Sequence, residues 1–498
     1  MNVNPITRLD YPDPDVIRVE DTYYMVSTTM HFMPGCEILQ SFDLVHWEHV
    51  TYVYETLDHT DAQQLKSGQN IYGQGMWAAS LRYHEGRFYI CFVANDTRKT
   101  YLYTSEKIDG PWKKQLIEGF YHDGSLLFDE DGRNYIVYGN DEIWITELNE
   151  DLTAPKKDGL HRLLVSDHKN TELGYEGAHI QKINGYYYIF LVHSLRDRWM
   201  RTEACFYSDS LEGEFTGGDV LCDDRGYCGQ GVAQGGIVDT PDGKWYAMLF
   251  QDSGAVGRIP ILLPVTWKDH FPVFGQNGHV PEEIEVHSTR PGYIYQPLVG
   301  SDDFCNGLLP RWQFNHDPDP RYYHLDALQG TYTITTREVC TELTQAVNTL
   351  TQRMSYPSCA AEVTVDASAL KEGDVAGLCA LQSCYAAVGI TKHHGKYEVL
   401  MLDKKEDGIL DMTEGTVVES HQMDFRLEAD FCNMKDEARC YYRVNKGDWL
   451  PIGTVHKLYF KLDHFTGCRF GLFCYAAEET GGSACFRDFK YYDVDEIS

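Results

Sequence analysis

Hydrophobic and polar positions alternate over short runs throughout this chain, and Gly, Asp and Asn break the runs at close intervals. That is the period of a half-buried strand, and long stretches with apolar residues at helical spacing are scarce. Runs such as Val16-Ile17, Tyr101-Leu102-Tyr103 and Ile143-Trp144-Ile145 read as strands. One arrangement recurs, a short turn followed by aromatics and an apolar strand. It appears as Asp21-Thr22-Tyr23-Tyr24-Met25, Gly86-Arg87-Phe88-Tyr89-Ile90, Gly132-Arg133-Asn134-Tyr135-Ile136, Gly185-Tyr186-Tyr187-Tyr188-Ile189 and Gly243-Lys244-Trp245-Tyr246-Ala247. The aligned tyrosines 24, 89, 135, 188 and 246 are spaced by 65, 46, 53 and 58 residues. Each unit reads as a hairpin, and five β units of this size predict a five-bladed propeller with four-stranded blades around a channel.

Counting back from the tyrosines sharpens the prediction. Asp13 lies 11 residues before Tyr24, while Trp77, Asp123, Glu176 and Gln234 lie 12 before Tyr89, Tyr135, Tyr188 and Tyr246. Equivalent positions in equivalent blades surround one end of the channel, so two Asp, one Glu, one Trp and one Gln should converge at one mouth. Three readings stay open here. A calcium site wants many oxygen ligands at closely spaced positions. A structural network pairs acids with Arg or Lys. Glycoside hydrolysis uses one carboxylic acid on the leaving oxygen and one carboxylate on the attacking water. The Trp adds an apolar face suited to a sugar ring.

Composition narrows the partners. The chain has 498 residues, 43% of them hydrophobic and 24% charged, as expected of a folded protein. With 75 acidic against 43 basic residues the net charge is −32, which argues against nucleic acid or an anionic membrane as partner and suits a neutral one. The 34 tyrosines fit a strand-rich fold. The 15 cysteines include no C-x-x-C pair and read as reduced thiols. Met1-Asn2-Val3-Asn4-Pro5 does not open a secretion signal, and no stretch reaches the ~20 apolar residues of a membrane span. A cytoplasmic location is expected.

Four ordered motifs then resemble glycoside hydrolase family 43: Asp10-Tyr11-Pro12-Asp13-Pro14-Asp15-Val16-Ile17-Arg18, Ser41-Phe42-Asp43-Leu44-Val45-His46-Trp47, Met76-Trp77-Ala78-Ala79, and Tyr175-Glu176-Gly177-Ala178-His179 with its following hairpin. The resemblance implies Asp13 as general base, Glu176 as general acid, and Asp123 as the acid that orients Glu176 and raises its pKa. It implies Trp77 as a wall of the sugar subsite and Arg258 as a substrate-binding cation. His31 or Phe32 falls where the family has a pocket-lining aromatic. Two motifs depart from the family: Gly124 follows Asp123, and Ala79 stands for the proline of the W-A-P motif. Where many members use a fifth-blade His to help hold an axial calcium or its waters, this chain has Gln234, a candidate for a sugar hydroxyl or a water, so no required metal is expected.

After Ser288-Thr289-Arg290-Pro291-Gly292 short alternating strands resume, as in Tyr332-Thr333-Ile334-Thr335, and predict a β-sandwich. Asp302-Asp303-Phe304 and Trp312-Gln313-Phe314-Asn315-His316 resemble the start of the concanavalin-like, jelly-roll domain that follows family 43 β-xylosidase propellers, a loop of which often covers the pocket. The expected architecture is all-β, with a catalytic propeller over 1–295 and a sandwich over 296–498. The expected activity is inverting, exo-acting release of terminal xylose from β-1,4-xylo-oligosaccharides. An α-L-arabinofuranosidase or bifunctional enzyme is the alternative, and a non-catalytic sugar-binding propeller is the rival of another class. The sequence leaves a homo-oligomer open.

Overall fold

A computed structural model describes residues 3–413 and 415–493. Its first part is a five-bladed propeller, each blade a four-stranded antiparallel meander. The five first strands, Asp15–Val19, Met76–His84, Ser125–Phe128, Glu176–Ile183 and Val232–Asp239, neighbour one another around the axis.

Side chains sew these inner strands together. Asp15 Oδ2 accepts from the Leu81 amide at 2.7 Å, and Ser80 Oγ accepts from the Leu126 amide at 3.1 Å. Ser125 Oγ accepts from the Ile180 amide at 3.0 Å, and Gln181 Nε2 donates to the Ile237 carbonyl at 2.8 Å. Arg18 Nε donates to the Asp239 carbonyl at 3.1 Å and returns the circuit to the first blade. The ring also closes at the N-terminal segment. Asn4 exchanges two hydrogen bonds with Leu262, and Ile6 N donates to Pro260 O at 2.8 Å. Buried polar groups are thus matched across blade boundaries, which specifies the order of the blades as well as their number.

The register refines the tyrosine count. Opposite the five tyrosines stand Ile17, Arg82, Leu127, Gln181 and Val238. Asp13, Asp123 and Gln234 lie four residues before these partners, whereas Trp77 and Glu176 lie five before. The common interval of 12 conceals this because hairpin turns differ: two residues in blades 1, 2 and 4, five in blades 3 and 5. A one-residue slip would flip a side chain to the other face of a regular strand. Bulges at Met76/Ala79, Glu176/His179 and Ala233/Gly236 interrupt the register at the tops of blades 2, 4 and 5. The four-back positions Asp13, Asp123 and Gln234 have φ of 52°, 47° and 66°, and in blade 4 the four-back residue is Gly177 at 64°. A Cβ there would also lie 2.7 Å from the Gln234 side chain, so only glycine fits.

The second part is a sandwich of nine- and seven-stranded sheets around one large apolar core. The last propeller strand ends at Phe274 and the next long-range strand pairing starts at Gln313–Asn315. The segment between runs over blade 1, where Thr289 N donates to Phe42 O at 2.7 Å and Gln296 N to Glu48 at 2.9 Å. One strand crosses over: Phe32–Met33, inside blade 1, pairs with Phe314 and Asn315 as the edge of the nine-stranded sheet. Beside it Glu37 and Arg353 form a buried ion pair at 2.8 Å between the two parts. Burial would raise the Glu37 carboxyl, but Arg353 and His49 outweigh it and hold it at about 2.

Candidate active site

Asp13, Asp123, Trp77, Glu176 and Arg258 meet at one mouth of the channel. Asp13 sits in a left-handed turn just before its strand and is buried. Thr28 Oγ1 donates to its Oδ2 at 2.6 Å, and Arg258 Nη1 donates to its Oδ1 at 3.1 Å. Arg258 is itself pinned, since its amide donates to Asp10 Oδ1 at 2.7 Å. The two donors fix the orientation of the Asp13 carboxyl.

The other wall differs. Glu176 begins the inner strand of blade 4, and its side chain is 18% exposed. Asn140 Nδ2 donates to its Oε2 at 2.8 Å. Asp123 is buried, and its Oδ2 accepts from the Gly177 amide at 3.1 Å, so it is tied to the backbone that carries Glu176. His122 Nε2 lies 3.5 Å from both Asp123 Oδ2 and Glu176 Oε2. Burial chiefly, with Glu176 and Asp13 adding like charge, raises the Asp123 carboxyl to about 6 in spite of His122. Burial would lower the His122 imidazole, but Asp123, Glu176 and Asp13 outweigh it and raise it to about 9.

The sandwich supplies the roof. Phe465 lies in the loop after Leu450–Lys457, with its ring 4.4 Å from the Arg258 guanidinium and 5.7 Å from Trp77. Its carbonyl accepts from Arg258 Nη2 at 3.4 Å, and two residues on Gly467 N donates to Asp10 Oδ2 at 2.7 Å. Asp10 therefore clamps the Arg258 strand and the capping loop together. Trp77 is partly exposed and stands edge-on to His122 at 5.7 Å.

The family model described as glycosyl hydrolases family 43 matches residues 3–272, and that of the β-xylosidase C-terminal concanavalin A-like domain matches residues 301–492. The chain belongs to glycoside hydrolase family 43. It is 26% identical to a β-xylosidase of Formosa agariphila over 99% of this chain and 89% of the relative. It is 24% identical to a xylosidase/arabinosidase of Butyrivibrio fibrisolvens, over 99% of each. A solved bifunctional GH43-CE protein of Bacteroides eggerthii is 42% identical with a TM-score of 0.92 over 99% of this chain, which spans 64% of that protein. Membership makes the chain a glycoside hydrolase, and the non-catalytic reading falls away.

Two sequence expectations need correction. Phe32 and His31 are fully buried and present no face to a pocket. Phe32 stacks 3.5 Å under the Arg469 guanidinium at the sandwich edge. His31 packs among Phe32, Tyr72, His316 and His464. Both belong to the interdomain core because the strand they lead into joins the sandwich sheet. Gln234 is also covered. Its amide donates to the buried Glu203 carboxyl at 2.7 Å and its side chain packs on Gly177, so it buttresses the Glu176 turn. Burial raises Glu203 well above the ordinary carboxyl range, which makes Gln234 and Glu203 a poor donor set for a cation. Sequence reasoning missed His122, Asn140, Thr28 and Phe465. Only His122 left a local signal, its position next to Asp123.

Proposed function

We propose that this family 43 enzyme is an inverting exo-glycosidase that removes terminal xylose from β-1,4-xylo-oligosaccharides. The observation that carries the roles is the contrast between the two walls. Asp13, held by Arg258 and Thr28, accepts a proton from the attacking water. Glu176, beside a second acid, gives its proton to the leaving oxygen. Asp123 orients Glu176 through the Gly177 amide. As the glycosidic bond breaks, positive charge grows on the sugar ring and water attacks the opposite face, which inverts the anomeric centre. Trp77 packs on the sugar, and Arg258 binds its hydroxyls while holding Asp13 in place.

The exo mode is supported by Phe465, whose ring roofs the space beside Trp77 and Arg258. The xylose preference is supported by the name of the Formosa agariphila relative. The xylosidase/arabinosidase of Butyrivibrio fibrisolvens favours a second reading, α-L-arabinofuranosidase activity in the same pocket. Hydrolysis is proposed to need no metal, and full activity after exhaustive chelation is the expected result. The fifteen free thiols support a reducing, cytoplasmic setting. The deciding experiment compares p-nitrophenyl β-xyloside with α-L-arabinofuranoside. Faster xyloside cleavage is expected, and no release from either rejects the substrate class. NMR of the first-formed anomer checks inversion.

A further inference from the structure

A second arginine stands at the mouth and has no part in the scheme above. Arg201 opens the third strand of blade 4, Arg201–Ser208, opposite Ser194. Its side chain is 7% exposed and is held by three groups. Nε donates to Asp252 Oδ2 at 2.8 Å, and Asp252 stands opposite Arg258 in the strand pairing of blade 5. The Trp199 ring centre lies 5.3 Å from the guanidinium carbon, and the Phe250 ring centre lies 5.2 Å from it. Phe250 serves both mouth arginines, since the Arg258 guanidinium is 5.5 Å from the same ring.

The two arginines differ in what they have left to give. Arg258 spends Nη1 on Asp13 and Nη2 on the Phe465 carbonyl, and its Nε is sealed from solvent. Neither Nη of Arg201 has a hydrogen-bond partner among the described residues, and neither is sealed. A guanidinium with one edge ion-paired and the other edge open offers parallel donors that fit two neighbouring oxygens. Its place says which oxygens. Asp13 and Glu176 both act on its charge, so it lies beside the space between the base and the acid. In an inverting displacement that space holds the terminal sugar. Sugar hydroxyls are neutral acceptors, and the guanidinium charge strengthens the bonds they accept. We propose that Arg201 is a substrate-binding residue that grips two adjacent hydroxyls of the terminal pentose through its free Nη groups and so selects for their arrangement. Asp252, Trp199 and Phe250 hold the donors in place beforehand, which reduces the ordering cost of binding.

The inference rests on the proposed pentose substrate, and its test keeps the two apart. No release of either pentose by the wild type would reject the substrate class. A pentose-releasing wild type that Arg201→Met equals would reject only the role of Arg201. Arg201→Met should weaken xylose binding, read by calorimetry, about 10–100-fold and lower kcat/KM on p-nitrophenyl β-xyloside by a similar factor. A purely structural role would do as much, so the decisive readout is a set of three aryl xylosides, each lacking one ring hydroxyl. The penalty of Arg201→Met should shrink at least about fivefold on the two analogues that lack one or other of two adjacent hydroxyls, and stay whole on the third. An equal penalty on all three overturns the proposal. Arg201→Met leaves Asp252 unpaired, so the double variant Arg201→Met/Asp252→Asn is made beside it, and the same pattern is expected. If neither variant folds, the structure of the wild-type enzyme with xylose decides. Two sugar hydroxyls within hydrogen-bond distance of the Arg201 Nη groups support the proposal, and their absence there rejects it.

Discussion

The two walls of the pocket solve opposite problems. In the proposed mechanism Asp13 is the base, and its partner is an arginine, which does not deprotonate in proteins. Glu176 is the proposed acid, and its surroundings are a second carboxyl and an imidazole. A permanently charged group stands beside the proposed base, and titratable groups stand beside the proposed acid. The same fold position, a left-handed residue at the top of an inner strand, serves Asp13 and Asp123 alike. Their partners, not their backbone, make them different.

Mutation can break this contrast. The largest loss should follow Asp13→Asn, about 10³–10⁴-fold in kcat/KM on every substrate, because no other group takes the water proton. Comparable fold losses for poor and activated leaving groups in that variant would confirm a base defect. Glu176→Gln should lose about 10²–10³-fold on xylobiose and far less on p-nitrophenyl xyloside, whose leaving group needs little protonation. Equal loss on both removes Glu176 from the acid role. Phe465→Ala is expected to raise KM for short substrates about tenfold with a smaller change in kcat, and to leave the limbs of the pH profile in place.

The smallest effect on chemistry lies outside the walls, at Glu37. Its folded pKa of about 2 lies below the ~4.3 of an unfolded Glu, so its ionised form stabilises the fold above that value. That contribution, about 3 kcal/mol at most, is lost as pH falls toward 2. Glu37→Gln should therefore lower the Tm at neutral pH, flatten the acid end of the stability curve, and leave the leaving-group dependence unchanged. Breaking one member of a buried pair costs about 3–5 kcal/mol, a range that already includes this contribution.

The strands, the five hairpins and the three acids were legible because their signals are local. Short apolar and aromatic runs mark Ser125–Phe128 or Tyr186–Ser194 within a few residues, and the acids sit 11 or 12 residues before an aligned tyrosine. Sequence does not show register across turns of unequal length, so the two classes of top position emerged only from strand pairing. Asn140 and Thr28 reach the acids from neighbouring turns through side-chain bonds that leave no spacing rule. Phe465 meets Arg258 from a distant part of the chain, and no periodicity connects them. His31 and Phe32 misled for the same reason: an aromatic before a turn looks alike whether it faces a sugar or a second domain.

The short strand Phe32–Met33 carries a consequence for synthesis. Its pairing partners Phe314 and Asn315, and the strands Leu350–Arg353 and Arg469–Tyr475 behind them, leave the ribosome long after blade 1. Early domains ordinarily fold first on the emerging chain. Here the four strands of blade 1 emerge together, but the two-residue strand Phe32–Met33 between them stays without its sandwich partners until the end of translation. The roof loop arrives in the same late stretch, so the pocket gains its cover only when the whole polypeptide is free. A product truncated before the sandwich would leave Phe32–Met33 unpaired and the site without its Phe465 roof.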